Sequence, residues 1–522
     1  MIDDDDGYVR SAYPRAHERL DMTAQRPGTH GSSRVGAVPL ETLLADQPAV
    51  LDVGTNLDEI RRGRRVVVLD DDPTGTQCIA DLPVLTRWTV PDLRWALQQP
   101  TTGFFVLTNT RSLSEADAAE RNRQIVRALG EASRLEGDVP FVVASRSDST
   151  LRGYFPLETD VISHELARLG TAVDGVVICP AYVEPGRVTV DSVHWMRTDA
   201  GMIPVAESEF AKDASFGYHN SDLRDWVEEK TGGRIGRSDV ATVTLSDIRR
   251  GGPDRVQAIL AGLTDGRPVV VDTAEYADLQ VVVLALIRAE AAGKTFVYRI
   301  APSFVRPRSG QLATAPIDAG RLTEIVAQAN SERPKDDRPS VRHGLVVVGS
   351  HVGLTTRQLA HLRTACHVLE LELNVPVLLD PSTRAQHVDE IAAEAARLLQ
   401  DNPSDGDVVI GTSRTLIKGA DASGSLEIAR TVSAALVGTV RKVVELVRPA
   451  FVLAKGGITS SDTATEGLGI RRAWSRGNML PGIVSLWEPV AGPAQGIPYI
   501  VFAGNVGDDR ALGDVVTTLR SG

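Results

Sequence analysis

The sequence predicts an α/β protein with two α/β domains, each a largely parallel sheet flanked by helices, with an active site in the cleft between them. Three observations carry this. The chain has 522 residues, while single hydrophobic cores stop growing near ~250–300 residues. Short apolar runs alternate with helical stretches along most of it, as in sheets whose faces are covered by helices. A Pro-, Arg- and Asp-dense stretch between residues 306 and 342 interrupts that alternation with linker chemistry.

The elements follow in chain order. Residues 1–62 have weak periodicity and read as an N-terminal extension with one short helix near 40–51. Residues 63–306 form a first domain, with strands at VVVL (66–69), FFVL (104–107), FVVA (141–144), GVVIC (175–179) and PVVV (268–271), and helices over 115–129, 156–169 and 279–292. Residues 307–342, which include ERPKDDRPS (332–340), form the linker around a helix near 321–329. Residues 343–522 form a second domain, with strands at LVVVGS (345–350), VVIG (408–411), FVLAK (451–455) and YIVFAG (499–504) and a helix over 427–447.

Composition excludes several classes. With 56 Lys+Arg against 68 Asp+Glu the net charge is -12, and 42% of residues are hydrophobic. That is a globular balance, and it argues against nucleic acid, which needs a basic surface. The three cysteines, Cys78, Cys179 and Cys366, include no C-x-x-C pair, so a reducing, cytoplasmic setting is expected. The acidic start MIDDDDGYVR is unlike a signal peptide, and no apolar run reaches the ~18 residues needed to span a membrane.

Chemistry concentrates at strand ends, where open α/β sheets bind ligands. After the strand 66–69 come Asp70, Asp71 and Asp72, then a Pro-Thr-Gly turn. Adjacent carboxylates repel unless a cation or a substrate hydroxyl uses them. SRSDSTLRG (145–153) crowds Arg146, Asp148, Ser149, Thr150 and Arg152 into one turn, with Gly153 allowing close backbone approach. TNTRSLSE (108–115) adds Arg111, with Ser114 suited to cap a helix, and CPAYVEPGRVTVDSVHW (179–195) adds Gly186 and Arg187. Arginines from three such loops suggest an anionic small substrate. The second domain differs. GSHVGLTTRQL (349–359), AKGGITSSDTATEGLGI (454–470) and FAGNVGDD (502–509) each join a strand to a glycine turn. Convergent backbone N–H groups and helix N-termini there suit nucleotide phosphates.

Standard motifs are missing. AAGKT (291–295) has Arg288 where a P-loop needs glycine, and it precedes a strand. The histidines form no zinc set, and His194 and His351 read as local hydrogen-bonding residues.

These segments together resemble the four-carbon acid sugar kinases, a two-domain family related to 3-oxo-tetronate kinase and threonate kinase. The resemblance spans roughly residues 64–520. It rests on Asp71-Asp72-Pro73-Thr74-Gly75, on Asp148 to Gly153, on APSFVR (301–306), on Gly349-Ser350, on Gly456-Gly457 and on Gly504-Asn505. Asp70 and Pro73 stand where many members have Ala and Leu, and about 60 N-terminal residues are extra.

The resemblance implies an acid-sugar-binding first domain and an ATP-binding second domain. ATP with Mg²⁺ would phosphorylate a hydroxyl of a small, about four-carbon, sugar acid such as a threonate, erythronate or oxo-tetronate. Arg146 and Arg152 would bind the substrate carboxylate, alongside Asp70, Arg111, Asp148, Ser149, Thr150, Gly153, Gly186 and Arg187. Asp72, with Asp71, would orient or deprotonate the hydroxyl. Ser350, Gly456, Gly457, Ile458, Thr459, Gly504 and Asn505 would hold the nucleotide, and domain closure would exclude water. No residue is assigned to the metal, and a homodimer is an open alternative to a monomer. Two rival readings stand beside this. Asp70, Asp72 and Thr74 spell the first motif of haloacid-dehalogenase-like phosphatases, with Asp70 as nucleophile. A non-catalytic acid-sugar-binding protein would use the arginine loops alone.

Overall fold

The computed structural model describes residues 36–331, 341–401, 405–413, 417, 422–504 and 506–522. Residues 37–522 form one compact unit. The expected ERPKDDRPS linker segment and Asn505 lie outside the described residues.

The strands, in chain order, are β1 (Arg65–Asp70), β2 (Leu82–Leu85), β3 (Gly103–Leu107), β4 (Phe141–Arg146), β5 (Gly175–Cys179), β6 (Arg187–Val190), β7 (Val193–Thr198), β8 (Gly201–Pro204), β9 (Ala241–Val243), β10 (Arg267–Val271) and β11 (Phe296–Ile300). The second half adds β12 (Leu345–Val348), β13 (Val368–Leu373), β14 (Asp407–Thr412), β15 (Val452–Lys455), β16 (Arg472–Leu480), β17 (Val484–Ala491) and β18 (Tyr499–Phe502). The predicted apolar runs all fall within these strands or at their edges. Val66, Val67 and Val68 are fully buried, as expected of a strand covered on both faces.

The two α/β halves share one 15-stranded sheet, ordered β13-β14-β12-β15-β18-β17-β16-β2-β3-β1-β4-β11-β5-β10-β9. From β2 to β9 all neighbours are parallel. From β13 to β18 they are parallel again. The antiparallel hairpin β16–β17 lies between, paired to β18 on one side and to β2 on the other. Neither β2 nor the hairpin was expected. β2 reads LPVL with an internal proline, and β16 alternates buried apolar positions with Arg472, Trp474 and Arg476. β6, β7 and β8 form a separate antiparallel sheet.

Several expected boundaries move for local reasons. The helix near 40–51 covers only Leu40–Leu44, because Pro48 follows within a turn. Residues 37–62 are integral to the fold: Val38 pairs with Met202, Glu59 bonds Arg288, and Ile60 is buried. The helix Tyr276–Ala291 starts earlier than expected, at a capping box formed by Glu275 and Asp278. Ser114 caps the helix Glu115–Leu135 as predicted, accepting from the Asp117 backbone N–H.

The start of the expected linker is core. Residues Pro302–Arg308 form a buried helix, and Arg308 is fully buried. Its guanidinium lies 3.0 Å from Glu290 and above the Tyr298 ring, and the Tyr298 hydroxyl donates to Glu290. Breaking such a pair from one side leaves an uncompensated buried charge, at a cost of about 3–5 kcal/mol. Arg308→Ala is therefore expected to lower the urea midpoint of unfolding sharply. Arg308→Met combined with Glu290→Gln should restore most of the loss.

Candidate active site

The first half of the site begins with sheet register. Asp70 ends β1 and Arg146 ends β4, and the two residues are paired across the parallel ladder. Arg146 Nη1 donates to Asp70 Oδ1 at 2.8 Å and to Asp72 Oδ1 at 2.9 Å. Arg111, in the turn after β3, donates from Nε to Asp71 Oδ2 at 3.0 Å and from Nη1 to Asp72 Oδ2 at 2.7 Å. The chain then turns through the 3₁₀ segment Pro73–Cys78. Asp72 caps it by accepting from the Thr74 N–H at 2.8 Å, and Asp70 accepts from the Gly75 N–H at 3.1 Å. A Cβ on Gly75 would lie 2.2 Å from Asp70 Oδ2, so any side chain there would displace the Asp70 carboxylate from Arg146.

Three carboxylates thus share two guanidinium groups. Burial pushes Asp70 up to about 7, with Asp72 and Asp71 adding to the rise against the attraction of Arg146. Burial also raises Asp71, in spite of Arg111. Burial would raise Asp72 as well, but Arg111, Arg146 and the Thr74 hydrogen bonds outweigh it and hold the carboxyl well below the usual range. The member whose carboxylate form is favoured, Asp72, is the one that lines the cleft.

The second half of the site is built at the carboxyl ends of β12, β15 and β18. Gly456, at φ +130°, turns the chain from β15 into the short helix Gly457–Asp462. Gly504 follows β18, and a Cβ there would lie 2.8 Å from Ser350 Oγ. The two halves meet because the Pro73–Cys78 turn docks on β17. Thr76 Oγ1 lies 3.0 Å from Ser485 Oγ and accepts from Trp487 Nε1, while Gln77 Nε2 donates to the Ile483 carbonyl at 2.8 Å. Val484 is in turn paired with Phe502, just before Ala503 and Gly504.

Two adjoining cavities result. One, of about 320 Å³, has Asp72, Thr74 and Gln77 on one side, Arg152, Arg187 and Phe210 on another, and Gly457, Ala503 and Gly504 opposite. Ser149 and Thr150 also line it. The other, of about 480 Å³, is bordered by Ser350, Gly456, Ile458 and Thr459. Asp72, Arg111, Gly457 and Gly504 border both. Arg152 Nε is held by Asp148 at 2.6 Å, and its guanidinium lies 4.8 Å from the Phe210 ring centre. Arg187 has no carboxylate within ion-pair distance among the described residues, its buried Nε has no hydrogen-bond partner, and burial lowers its pKa.

Several sequence expectations change here. Asp70 and Asp71 are each 2% exposed and border neither cavity. They shape the turn and hold Arg146 and Arg111 instead of lining the cleft. Asp70 is likewise closed off as a phosphatase nucleophile. Arg146 reaches the cavity but is 4% exposed and already engaged by Asp70 and Asp72. Gly153, at φ +115°, packs behind Asp71, and Gly186 supports the turn before Arg187 against Arg197. His194 is fully buried, bonded to Thr189 and the Ser149 carbonyl, and pushed down to about 4 by burial. His351 Nε2 lies 3.1 Å from Thr412 Oγ1. Lys294 of the discarded Gly-Lys-Thr segment bonds Asp174.

The sequence reading named Thr74 as a motif residue without a place in the site, and it missed Gln77, in the same turn, and Tyr182, whose hydroxyl bonds Gln77 Oε1 and the Gly482 carbonyl. It also missed Phe210, which no motif marks.

The raised Asp70 pKa has a stability consequence. A carboxyl whose folded pKa lies above its unfolded value stabilises the fold at low pH, and that contribution is lost as pH rises through the folded pKa. From pH 5 to 8 the wild-type melting temperature should fall relative to that of Asp70→Asn, which mimics the protonated acid. Parallel profiles for the two proteins over that range would contradict the assignment.

The fold and the sequence are similar to those of known proteins. A family model described as a sugar-binding N-terminal domain matches residues 66–308, and one described as a nucleotide-binding C-terminal domain matches residues 345–512. A D-erythronate kinase of Heliobacterium modesticaldum is 24% identical over 344 residues, which span 65% of this chain and 69% of that one. A Salmonella typhimurium LT2 crystal structure superimposes with a TM-score of 0.60 at 18% identity, over 86% of this chain and 98% of that one. A Haemophilus influenzae protein gives 0.56 at 17%, over 87% and 100%. With both domain models matched in order over most of its length, the chain belongs to the four-carbon acid sugar kinase family.

Proposed function

We propose that this carbohydrate-acid kinase transfers the γ-phosphoryl group of ATP to a hydroxyl of a four-carbon sugar acid such as a threonate, erythronate or oxo-tetronate. One observation carries the reading: Asp72 stands on the border of an arginine-lined cavity and a glycine-lined cavity. The D-erythronate kinase relative supports the choice of substrate class. On this reading residues 63–306 supply the acid-sugar site and residues 343–522 the nucleotide site.

Phosphoryl transfer asks for positioning and charge neutralisation more than for covalent help. Arg187, free of any acid partner, and Arg152, fixed by Asp148, take the substrate carboxylate. Asp72 accepts a hydrogen bond from the attacking hydroxyl. Its low pKa keeps it ionised at all working pH values, so it orients the oxygen and receives the proton late, as the new P–O bond forms and ADP departs. Arg111, shared by both cavities, faces the transferring group. Ser350, Gly456, Gly457, Ile458, Thr459 and Gly504 cradle the phosphates, with backbone N–H groups as donors.

The three acidic side chains can bring oxygens within 4.8 Å of one another, but Arg111 and Arg146 already neutralise them. The residues therefore do not fit Mg²⁺ as a protein-ligated ion. A metal arriving with ATP would be held by phosphates and water.

Given ATP, Mg²⁺ and a panel of four-carbon acids, the protein should release ADP only with an acceptor acid present. Asp72→Asn should lower kcat by about 10²-fold or more. Release of ADP that no acid stimulates would overturn the assignment. Arg187→Met should raise KM for the acid by about 10-fold or more, the worth of one charge-assisted hydrogen bond, and leave KM for ATP near its starting value. Equal changes in both constants would move Arg187 out of the acid subsite.

A further inference from the structure

Lys455 ends β15, immediately before the Gly456–Gly457 turn, and its side chain is fully buried. Its Nζ donates to the Ala503 carbonyl at 2.7 Å and lies 3.8 Å from the centre of the Phe502 ring. The backbone of the same residue completes the junction. Its carbonyl accepts from Gly349 N–H, and the next N–H, that of Gly456, donates to the Phe502 carbonyl. One residue thus ties together the turns that follow β12, β15 and β18.

Among the described residues this ammonium has no counter-ion. No carboxylate lies within ion-pair distance of it among the described residues, and burial alone brings its pKa down to about 7. On the helices Gly353–Ala365, Gly457–Asp462 and Ala511–Ser521 and the loop that precedes the last of these, the titratable and charged groups are Arg357, His361, Arg363, Asp462, Asp508, Asp509, Arg510, Asp514 and Arg520. Arg357 is spent on Asp509 at the surface, and none of these groups perturbs Lys455. A buried ammonium left unpaired costs several kcal/mol. A carbonyl and an aromatic face recover part of that. What would complete the compensation is an anion on the far side of the turns that Lys455 holds.

We propose that Lys455 is a positioning residue of the nucleotide site, bracing the Ala503–Gly504 turn from beneath and supplying buried positive charge to the nucleotide's phosphates without touching them. This rests on the reading that the phosphates lie on those glycine turns. The Coulomb attraction acts across a low-dielectric layer, where it falls off slowly. Binding of the phosphates raises the Lys455 pKa, so nucleotide binding draws a proton from solution at pH values above the free pKa.

The test is calorimetric titration of MgADP into the full chain at pH 7.5–8.5, in two buffers of different ionisation enthalpy. Wild-type protein is expected to take up a measurable fraction of a proton. Lys455→Met, which keeps the length and removes the charge, should lose that uptake and bind MgADP about 10-fold more weakly, with KM for the acid unchanged. A Lys455→Met protein that binds within twofold of wild type, or that retains the uptake, would overturn the proposal. Should that variant fail to fold, wild-type protein decides alone, because binding without proton uptake across this pH range contradicts it. Absence of any MgADP or MgATP binding by wild type would instead defeat the nucleotide-site reading.

Discussion

Compensation of three consecutive carboxylates, the first two of them buried, by two arginines is the constraint on which the site depends. Asp70, Asp71 and Asp72 come from one strand end, so their spacing is fixed by the backbone. Arg146 is set opposite by the β1–β4 register, and Arg111 arrives from the turn after β3. Each arginine bridges two acids. The ionised acid that faces the cleft is gripped from both sides, and its carboxylate has few orientations left. The same bonds close the Pro73–Cys78 turn through Asp70 and Gly75. That turn is the surface on which the second half of the protein docks.

The docking is firmer than a linker between two lobes would provide. β2 and β16 are paired from Leu82 to Leu85 and from Arg472 to Ser475, so the sheet runs unbroken through the junction. Arg472 bonds the buried Asp92 at 2.7 Å, and Arg476 bonds Asp81 at 2.9 Å. Thr86 donates its backbone N–H to the Arg471 carbonyl. Rotation of one half against the other must bend this sheet or break the β2–β16 ladder. A hinged closure of the two halves, as expected from the sequence, would therefore work against the β2–β16 ladder. Asp72 and Gly504 already border both cavities, so the geometry needs little assembly when ligands arrive.

Much of this was legible in the sequence, and the misses have physical causes. Buried parallel strands announce themselves as runs such as VVVL and LVVVG, because both faces are apolar. Strand ends rich in Asp, Arg and Gly mark the ligand edge in any open α/β sheet. The joining strands carry no such mark: β2 contains a proline, β16 begins by alternating exposed-side Arg472, Trp474 and Arg476 with buried residues, and β17, though buried from Val484 to Pro489, interrupts its apolar run with Ser485, Glu488 and Pro489. Arg308 reads as linker chemistry until Glu290, 18 residues away, is seen beside it. Nothing in the sequence distinguishes Arg146 from Arg187 as an anion receptor. That depends on which arginine the fold places against acids, a question of register and loop path. Phe210 lies far down the chain from the motifs and reaches Arg152 only through the path of its loop.

The pairing also explains how a chain of net charge -12 can hold two anions side by side. The acids of the first turn do not repel an incoming phosphate in proportion to their number. Asp71 and Asp72 face Arg111, Asp70 and Asp72 face Arg146, and Asp70 keeps a proton over part of the neutral range. Arg187, left unpaired, and Lys455, buried without a counter-ion, are then positive charges not already spent on an acid. Arg187 lines the cavity of the proposed acid side, and Lys455 holds the Ala503–Gly504 turn of the proposed phosphate side. Asp72 borders both cavities, where a hydroxyl acceptor is needed and where its own charge is twice compensated. Local pairing, not net charge, decides which anion each end of the cleft attracts.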